Sequence, residues 1–245
     1  MSRTMIFRGK TAIVTGAAGG IGSAICQRLA GYGMNLVLVG RQKSKLEEMS
    51  SRVQELGGKA AVCAGDLSQL EFLDEIVKCA EETFGGVDLL INNAGLATSC
   101  LLEKTEVEVF DSIMNVNVRA PYFLCQKSVP LLRKSDCATI INLCSVVAHK
   151  GYPLQSVYAA SKHALLGMTK SLANEIFKDN IRVHAISPGS VYTEMITRIR
   201  PDLSSEGMIL PEDIADIVEF YLEHRSTSAV IDEIELHRAT KEPFA

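Results

Sequence analysis

Short apolar runs alternate with longer amphipathic segments along the whole chain. Runs of this length predict buried strands, whereas apolar residues repeated every three or four positions predict helices. The predicted strands cover residues 11–14, 35–39, 60–64, 87–91, 139–143, 181–186 and 231–236. The predicted helices cover residues 23–32, 44–56, 69–84, 107–132, 156–177 and 212–223. This alternation is typical of a doubly wound (Rossmann) parallel α/β sheet, here of about seven strands with helices on both faces.

Three residues refine the predicted helix boundaries. Ser68 is placed to cap the helix at 69–84, and Pro211 takes the favoured first turn of the helix at 212–223. The long helix at 107–132 should be interrupted near Pro121. No repeat and no linker rich in Pro, Gly or Ser divides the chain, so residues 1–245 are expected to form a single domain.

Composition and charge narrow the class of protein. Of 245 residues, 47% are hydrophobic, which is ample for a core, and the net charge of −4 gives no footprint for nucleic acid. No apolar run approaches the length of a membrane span, and residues 1–10 lack the apolar region of a signal peptide. The seven cysteines are scattered, without metal-site spacing, which predicts reduced thiols, no bound metal and a cytoplasmic location.

A glycine-rich turn follows the first predicted strand at once. Its residues are Gly16, Ala17, Ala18, Gly19, Gly20, Ile21 and Gly22. Glycines there let the backbone approach a pyrophosphate, which the free N–H groups of the following helix then receive. The strand before and the helix after favour a dinucleotide site over the alternative, a tight turn that needs glycine for its conformation only.

The end of the second predicted strand carries positive charge where dinucleotide folds often carry an acid. An Asp or Glu there accepts hydrogen bonds from the adenosine ribose hydroxyls. None occurs between residues 35 and 45, and Arg41, Lys43 and Lys45 stand in that stretch instead. Arg41 is best placed to grip a 2′-phosphate with its forked guanidinium, which favours NADP over NAD. The alternative is a solvated basic start to the next helix.

Tyr158 and Lys162 lie four residues apart in a predicted helix and therefore share a face. An ammonium near a phenol favours the phenolate, so Lys162 is expected to bring the pKa of Tyr158 from about 10 towards working pH. The alternative is an exposed helix face on which the pair has no chemical role. Asn93, at the end of the fourth predicted strand, similarly either faces a ligand or holds a turn.

Several motifs carry a family resemblance when they are read together. They are Thr15-Gly16-x-x-x-Gly20-x-Gly22, Asn92-Asn93-Ala94-Gly95, Asn117, Ser145, Tyr158-x-x-x-Lys162 and Pro188-Gly189. In this order they resemble the short-chain dehydrogenase/reductase family over residues 9–223. The stretch 231–236 lacks the diglycine of many relatives and is more similar to serine and 3-hydroxy-acid dehydrogenases, which puts the usual subunit contacts there in doubt.

The resemblance implies a catalytic set of four residues. Tyr158 would give its proton to a carbonyl oxygen as hydride arrives from the nicotinamide, and Lys162 would lower the tyrosine pKa and bind the nicotinamide ribose. Ser145 would hold the carbonyl and stabilise its developing charge, much as an oxyanion hole does. Asn117 would organise a water relay behind Lys162. Read structurally, Ser145 could end a strand and Asn117 could be a buried polar group of a helix.

The resemblance also implies the cofactor contacts. Asp66 and Leu67 would meet the adenine, and Thr193 would meet the nicotinamide amide. The full implied set is Gly16, Ala18, Gly19, Gly20, Ile21, Gly22, Arg41, Asp66, Leu67, Asn93, Ala94, Gly95, Tyr158, Lys162, Pro188, Gly189, Val191 and Thr193.

The function expected on these grounds is an NADP(H)-dependent oxidoreductase that interconverts a carbonyl and an alcohol. The alternatives are a 3-oxoacyl-carrier-protein reductase and a regulator that senses NADP(H) without turnover. The complete catalytic set argues against the sensor, which has no use for a proton relay.

The substrate side is less specified. The pocket is expected to be lined by Val146, Val147, Leu154, Gln155 and the segment 193–211, which would close over a small-molecule substrate. Arg198 and Arg200 lie in that segment, and one of them could grip a substrate carboxylate; otherwise both are solvated and the pocket takes neutral carbonyls.

Assembly is expected from the far side of the Tyr158 helix. Small residues there form a smooth face that allows close packing, which predicts a homodimer or homotetramer unless another helix of the same chain covers it. They are Ser156, Ala160, Ala164, Gly167 and Ser171.

Overall fold

Seven strands form one sheet in the computed structural model, which describes residues 7–225 and 227–241. The strands are β1 (Thr11–Thr15), β2 (Asn35–Gly40), β3 (Lys59–Ala64), β4 (Leu89–Asn92), β5 (Thr139–Leu143), β6 (Arg182–Pro188) and β7 (Glu233–Leu236). Their spatial order is β3-β2-β1-β4-β5-β6-β7, and every neighbouring pair is parallel. The predicted doubly wound architecture is confirmed.

Helices cover both faces of the sheet. They are α1 (Gly20–Gly31), α2 (Lys43–Glu55), α3 (Leu70–Phe84), α4 (Val107–Met114), α5 (Ala120–Leu132), α6 (Ser156–Ile176), α7 (Glu194–Ile199) and α8 (Pro211–Glu223). Helices α1, α2 and α8 pack on one face, and α3, α5 and α6 pack on the other. Because side chains alternate along a strand, Ala12 and Val14 of β1 enter the first core while Ile13 enters the second.

The strand order places the site. The chain runs outward from β1 to β3 and then returns to place β4 on the other side of β1. The loops after β1 and β4 therefore diverge, and the crevice between them opens at the carboxyl ends of the strands, where doubly wound sheets bind ligands.

Of two predicted helix details, one is wrong and one is confirmed. Ser68 does not cap α3, because Gln69 takes the N-cap position without a side-chain bond, while the backbone N–H of Ser68 donates to Asp66 Oδ1 at 2.9 Å. The interruption predicted near Pro121 is confirmed, because the α-helix is broken just before this residue. A π-helical turn at Asn115–Arg119 joins α4 to α5, and Pro121 lies in the first turn of α5.

Candidate active site

The turn between β1 and α1 leaves no room for side chains at two of its glycines. Gly16 has a φ of +66°, a conformation that strains other residues. A Cβ at Gly22 would lie 2.1 Å from the Gly16 carbonyl oxygen. The first helical residue is Gly20, and Gly19 before it offers no side-chain cap. The N–H groups at the start of α1 therefore face an open groove, which suits the pyrophosphate of a dinucleotide.

Asn93 fastens this turn from the neighbouring strand. Its Nδ2 donates to the Thr15 carbonyl oxygen at 2.8 Å, and the backbone N–H groups of Asn93 and Ala94 each donate to Thr15 Oγ1 at 3.0 Å. The Asn93 side chain is thus used to hold the turn, although the residue also borders the groove.

The groove crosses the carboxyl ends of β1 to β4. The predicted cofactor residues that line it are Gly16, Ala18, Gly19, Gly20, Ile21, Gly22, Arg41, Asp66, Leu67, Asn93, Ala94, Gly95 and Thr193. Arg41 and Lys45 lie where β2 ends, and Arg198 of α7 enters the same groove. Its outer end therefore carries the positive charge that the sequence predicts there.

The π-helical turn presents Asn117 to the interior, where the residue is fully buried. Its Oδ1 accepts from the Leu96 N–H at 2.7 Å, and its Nδ2 donates to the Leu96 carbonyl at 2.8 Å and to Ser161 Oγ at 3.0 Å. The Ser161 hydroxyl donates in turn to the Tyr158 carbonyl at 2.7 Å. One amide therefore joins the segment after β4 to the start of α6. No sequence motif pointed to Ser161.

Ser145, Tyr158 and Lys162 border one cavity. Lys162 Nζ donates to the Leu143 carbonyl at 2.6 Å and lies 5.9 Å from the centroid of the Tyr158 ring. Ser145 Oγ accepts from the Val147 N–H and donates to the Pro188 carbonyl, both at 3.3 Å. The structure thus brings three of the four predicted catalytic side chains to one wall, and Asn117 supports them from behind.

The pKa of Tyr158 departs from expectation. Burial raises it to about 12, and the hydrogen bond with Ser145 offsets only part of this effect. Burial also lowers the pKa of Lys162, because an ammonium loses its hydration there. The prediction that Lys162 brings the Tyr158 pKa down is therefore wrong for the protein without bound cofactor.

This cavity measures roughly 570 Å³ and continues into the groove, with which it shares Ile21, Asn93, Gly95, Thr193 and Met195. It also contains the remaining predicted cofactor residues, Pro188, Gly189 and Val191. Every residue of the predicted cofactor set thus lines one of two connected spaces.

The predicted substrate pocket is partly right. Val146, Val147 and Gln155 line the cavity, as do Met195 and Ile196 of α7. Leu154 does not line it, and that prediction is wrong. With a φ of 66° and 43% of its surface exposed, Leu154 lies outside the cavity, and its carbonyl accepts from the Cys100 N–H at 2.8 Å.

The chain after β7 supplies a wall that no motif indicated. Four of its residues line the cavity: His237, Arg238, Thr240 and Lys241. They reach it because β7 pairs with β6, whose last residue, Pro188, lies beside Ser145. In the sequence, the one indication that this end of the chain differs from many relatives was the lack of a diglycine at 231–236.

The two arginines of the segment 193–211 face different spaces. Arg198 lines the groove, whereas Arg200 lines the cavity. Arg200 is paired with Asp202 through two parallel bonds, Nε to Oδ1 at 2.9 Å and Nη2 to Oδ2 at 2.7 Å. Neither arginine therefore presents a free guanidinium to the substrate cavity.

Glu233 of β7 contacts two segments that lie next to Ser145 in space. Its Oε1 accepts from Ser187 Oγ at 2.6 Å and lies 2.7 Å from His149 Nε2. Ser187 precedes Pro188, and His149 follows the short helical turn that Ser145 caps. The Glu233 carboxylate thus holds in place both the turn that ends at His149 and the end of β6, the two segments next to Ser145.

The chain is similar to known proteins over most of its length. The family model "short chain dehydrogenase" matches residues 10–204. The short-chain dehydrogenase/reductase FrzI of Cladobotryum sp is 36% identical over 234 residues, covering 89% of this chain and 90% of the relative. A dehydrogenase/reductase structure from Sinorhizobium meliloti superposes with a TM-score of 0.86 at 32% identity, with 96% of each chain covered. The alcohol dehydrogenase of Thermococcus sibiricus, solved with 5-hydroxy-NADP, gives 0.87 at 28% identity, with 96% and 98% covered.

The fold and these matches together define an oxidoreductase of a class that binds a nicotinamide cofactor. The chain belongs to the short-chain dehydrogenase/reductase family, as the motifs predicted. Among residues 7–225 and 227–241, no helix has both the length and the apolar character to cross a bilayer.

Proposed function

We propose that this protein is an NADP(H)-dependent oxidoreductase that interconverts a carbonyl and an alcohol on a small molecule. The observation that carries the proposal is the convergence of Ser145, Tyr158 and Lys162 on one wall of a cavity that opens into the groove. Bound there, the cofactor supplies or accepts the hydride. The rest of the chemistry falls to the protein's own groups.

Tyr158 is the proton donor in the reduction direction. Its raised pKa keeps the phenol protonated at neutral pH, so the proton is present when the carbonyl oxygen becomes basic. Ser145 donates a hydrogen bond to that oxygen by releasing the Pro188 carbonyl, and Lys162 stabilises the phenolate that remains. The Asn117–Ser161 link holds the backbone of Tyr158 in place while charge moves.

Positive charge at the end of β2 supports NADP over NAD. Arg41 and Lys45 line the groove where the adenosine ribose of a dinucleotide lies in this fold, and the relative from Thermococcus sibiricus was solved with an NADP derivative. Loss of one charged hydrogen bond, worth about 1.5–3 kcal/mol, should weaken binding roughly tenfold to a hundredfold. Arg41→Ala is therefore expected to weaken NADPH binding to that extent and to leave NADH binding nearly unchanged.

The test has two parts. Consumption of NADPH at 340 nm with a panel of ketones and aldehydes measures turnover, and fluorescence titration of both cofactors measures selection. A protein that binds NADPH tightly but reduces no carbonyl is a sensor rather than an enzyme. Equal weakening of NADPH and NADH by Arg41→Ala contradicts its role as selector.

The segment 193–211 is proposed to close over the substrate, since Met195, Ile196, Ile199 and Leu203 already form one side of the cavity.

Homo-oligomerisation is proposed from the outer face of α6. Ser156, Ala160, Gly167 and Ser171 are exposed there, and the nearby α4 exposes Val107 and Phe110. Light scattering at micromolar concentration tests this assembly, and a monomer mass would contradict it.

A further inference from the structure

The charged groups of the substrate cavity all have one sign. Lys162, Arg200, Arg238 and Lys241 line it, and the described lining contains no Asp or Glu. The protein as a whole is acidic, with a net charge of −4, so this local excess of cations runs against the average. Such a lining attracts anions and disfavours positively charged ligands.

Two of the four cations are already engaged. Lys162 donates to the Leu143 carbonyl beside Tyr158, and Arg200 is clamped by Asp202. Arg238 is different: across the described residues its guanidinium makes one hydrogen bond, a long one from Nη1 to the Ser204 carbonyl at 3.4 Å. For the Lys241 ammonium no ion pair or hydrogen bond is found within the same residues. Arg238 and Lys241 form the edge of the cavity that is called the rim below. As far as residues 7–225 and 227–241 are concerned, it offers one largely free guanidinium and one free ammonium.

The stretch 237–241 that carries these groups is built into the wall. Gly189 N–H donates to the Leu236 carbonyl at 2.8 Å and anchors its start, and the Lys241 N–H closes a turn onto the Arg238 carbonyl at 3.0 Å. Thr240 packs against Gly207 so closely that a Cβ at Gly207 would lie 2.5 Å from it. Arg238 is half-buried between this stretch and the segment that α7 begins.

Apolar side chains also contribute to this cavity. Val146, Val147, Met195, Ile196 and Leu203 line it together with Tyr158 and Arg238. A ligand that suits this lining combines a reacting oxygen, an apolar part and an anionic group.

We propose that the substrate is an oxo acid, or in reverse a hydroxy acid, whose carboxylate is bound by Arg238 with Lys241 adding positive potential. A planar guanidinium with free donors suits a carboxylate, which it can grip by two parallel bonds. The proposal rests on the proposed function and names its substrate class. It replaces Arg198 and Arg200, the two candidates from the sequence, with a residue of the chain after β7.

The experiment compares acids with their neutral methyl esters. Linear oxo acids with one to four carbons between the carbonyl and the carboxyl group are assayed with NADPH on the wild type, Arg238→Gln and Arg238→Lys. Arg52→Gln, on the exposed side of α2, is the matched control. Arg238→Gln should lower kcat/KM for the best acid roughly tenfold to a hundredfold, the range for a lost charged hydrogen bond. Its activity on the ester should stay within about threefold, since no charge is lost there, and Arg238→Lys should retain part of the preference.

Ester activity in the same variant also reports whether the fold is intact. Equal losses on acid and ester, or a wild type that prefers the esters, would overturn the proposal while leaving the oxidoreductase function standing. If no carbonyl compound is reduced, the proposed function fails by itself. In that case, calorimetry with butyrate and butyramide on the NADP⁺-loaded protein tests whether Arg238 binds a carboxylate. Tighter binding of butyrate that is lost in Arg238→Gln supports the inference. Equal binding of the two compounds to the wild type refutes it.

Discussion

Two parts of the substrate cavity are held in place by different means. The inner wall is formed by Ser145, Tyr158 and Lys162 with Asn117 behind them, and the outer rim is formed by Arg238 and Lys241. At the inner wall, Asn117, Ser145 and Lys162 are at most 8% exposed, and each is bonded to backbone carbonyl or amide groups. At the rim, Arg238 is half-buried and Lys241 is exposed. Among the residues that the structure describes, the Arg238 guanidinium makes one long hydrogen bond, to the Ser204 carbonyl at 3.4 Å.

This difference has an energetic consequence. A buried polar group that loses its partner costs about 1–3 kcal/mol, whereas exposed charged side chains usually change stability by less than about 0.5 kcal/mol. Substitutions at the inner wall therefore disturb fold and chemistry together. Substitutions at the rim are expected to cost little stability, so under the proposals above they change the preferred substrate without disturbing the proposed catalytic residues.

The largest effect is expected from Tyr158→Phe. This change removes the proton donor but little volume, and general acid–base catalysis is typically worth about 10²–10⁴-fold. Steady-state kinetics should show a kcat loss of that size for acids and esters alike, with NADPH binding retained. Activity within a few-fold of wild type would show that the wall does not hold the chemistry.

Asn117→Ala tests whether the wall depends on its hydrogen-bond network. Leu96 and Ser161 would lose their partner, which should lower the free energy of unfolding by about 1–3 kcal/mol in denaturant titrations. Because the start of α6 loses its tether, kcat should fall by up to about 10²-fold. Asn174→Ala is the control, since its side chain bonds within an exposed helix face. Equal stability of the two variants would remove the distinction between wall and rim.

A smaller effect is expected at the rim from Gly207→Ala. The new Cβ would meet Thr240, and Gly207 has a φ of +65°, so the residue is strained by at least about 1 kcal/mol. The arginine-bearing stretch should shift and raise KM for an acid substrate by roughly fivefold, with kcat nearly constant. Thr240→Ala in the same chain relieves the contact and should restore part of the KM. A change in kcat instead of KM would mean that rim and wall are coupled.

The smallest expected effect is spectroscopic: no tyrosinate absorbance from Tyr158 is expected at moderately alkaline pH. Burial holds the pKa of Tyr158 at about 12, so the protein without cofactor should show no tyrosinate absorbance from this residue between pH 8 and pH 10. The phenolate appears only as the pH rises towards that pKa. Subtracting the spectrum of Tyr158→Phe isolates the residue from the other tyrosines. A midpoint below 10 would show that Lys162 outweighs burial.

The sequence predicts those parts of the site that depend on residues close together in the chain, and it misses those that depend on contacts between distant residues. The glycine turn, the seven strands and the Tyr158–Lys162 pair depend on neighbouring residues, and their patterns are local. The rim depends on the contact of the stretch 237–241 with Gly207, which exists only after β7 has paired with β6. Leu154 was misplaced because its positive φ turns the chain at one residue. The Tyr158 pKa had the wrong sign because burial depends on the whole fold.

The brace at Glu233 has a consequence for the newly made protein. Parallel strands pair only through crossovers, so β7 joins the sheet after the chain that precedes it, and domains begin to fold during synthesis. A nascent chain can already have paired β1 to β6 while Ser187 and His149 still lack the carboxylate that joins them. Ser145 can already have its own bonds to Val147 and Pro188 at that stage, and the bonds from Glu233 to Ser187 and His149 form only when β7 pairs with β6.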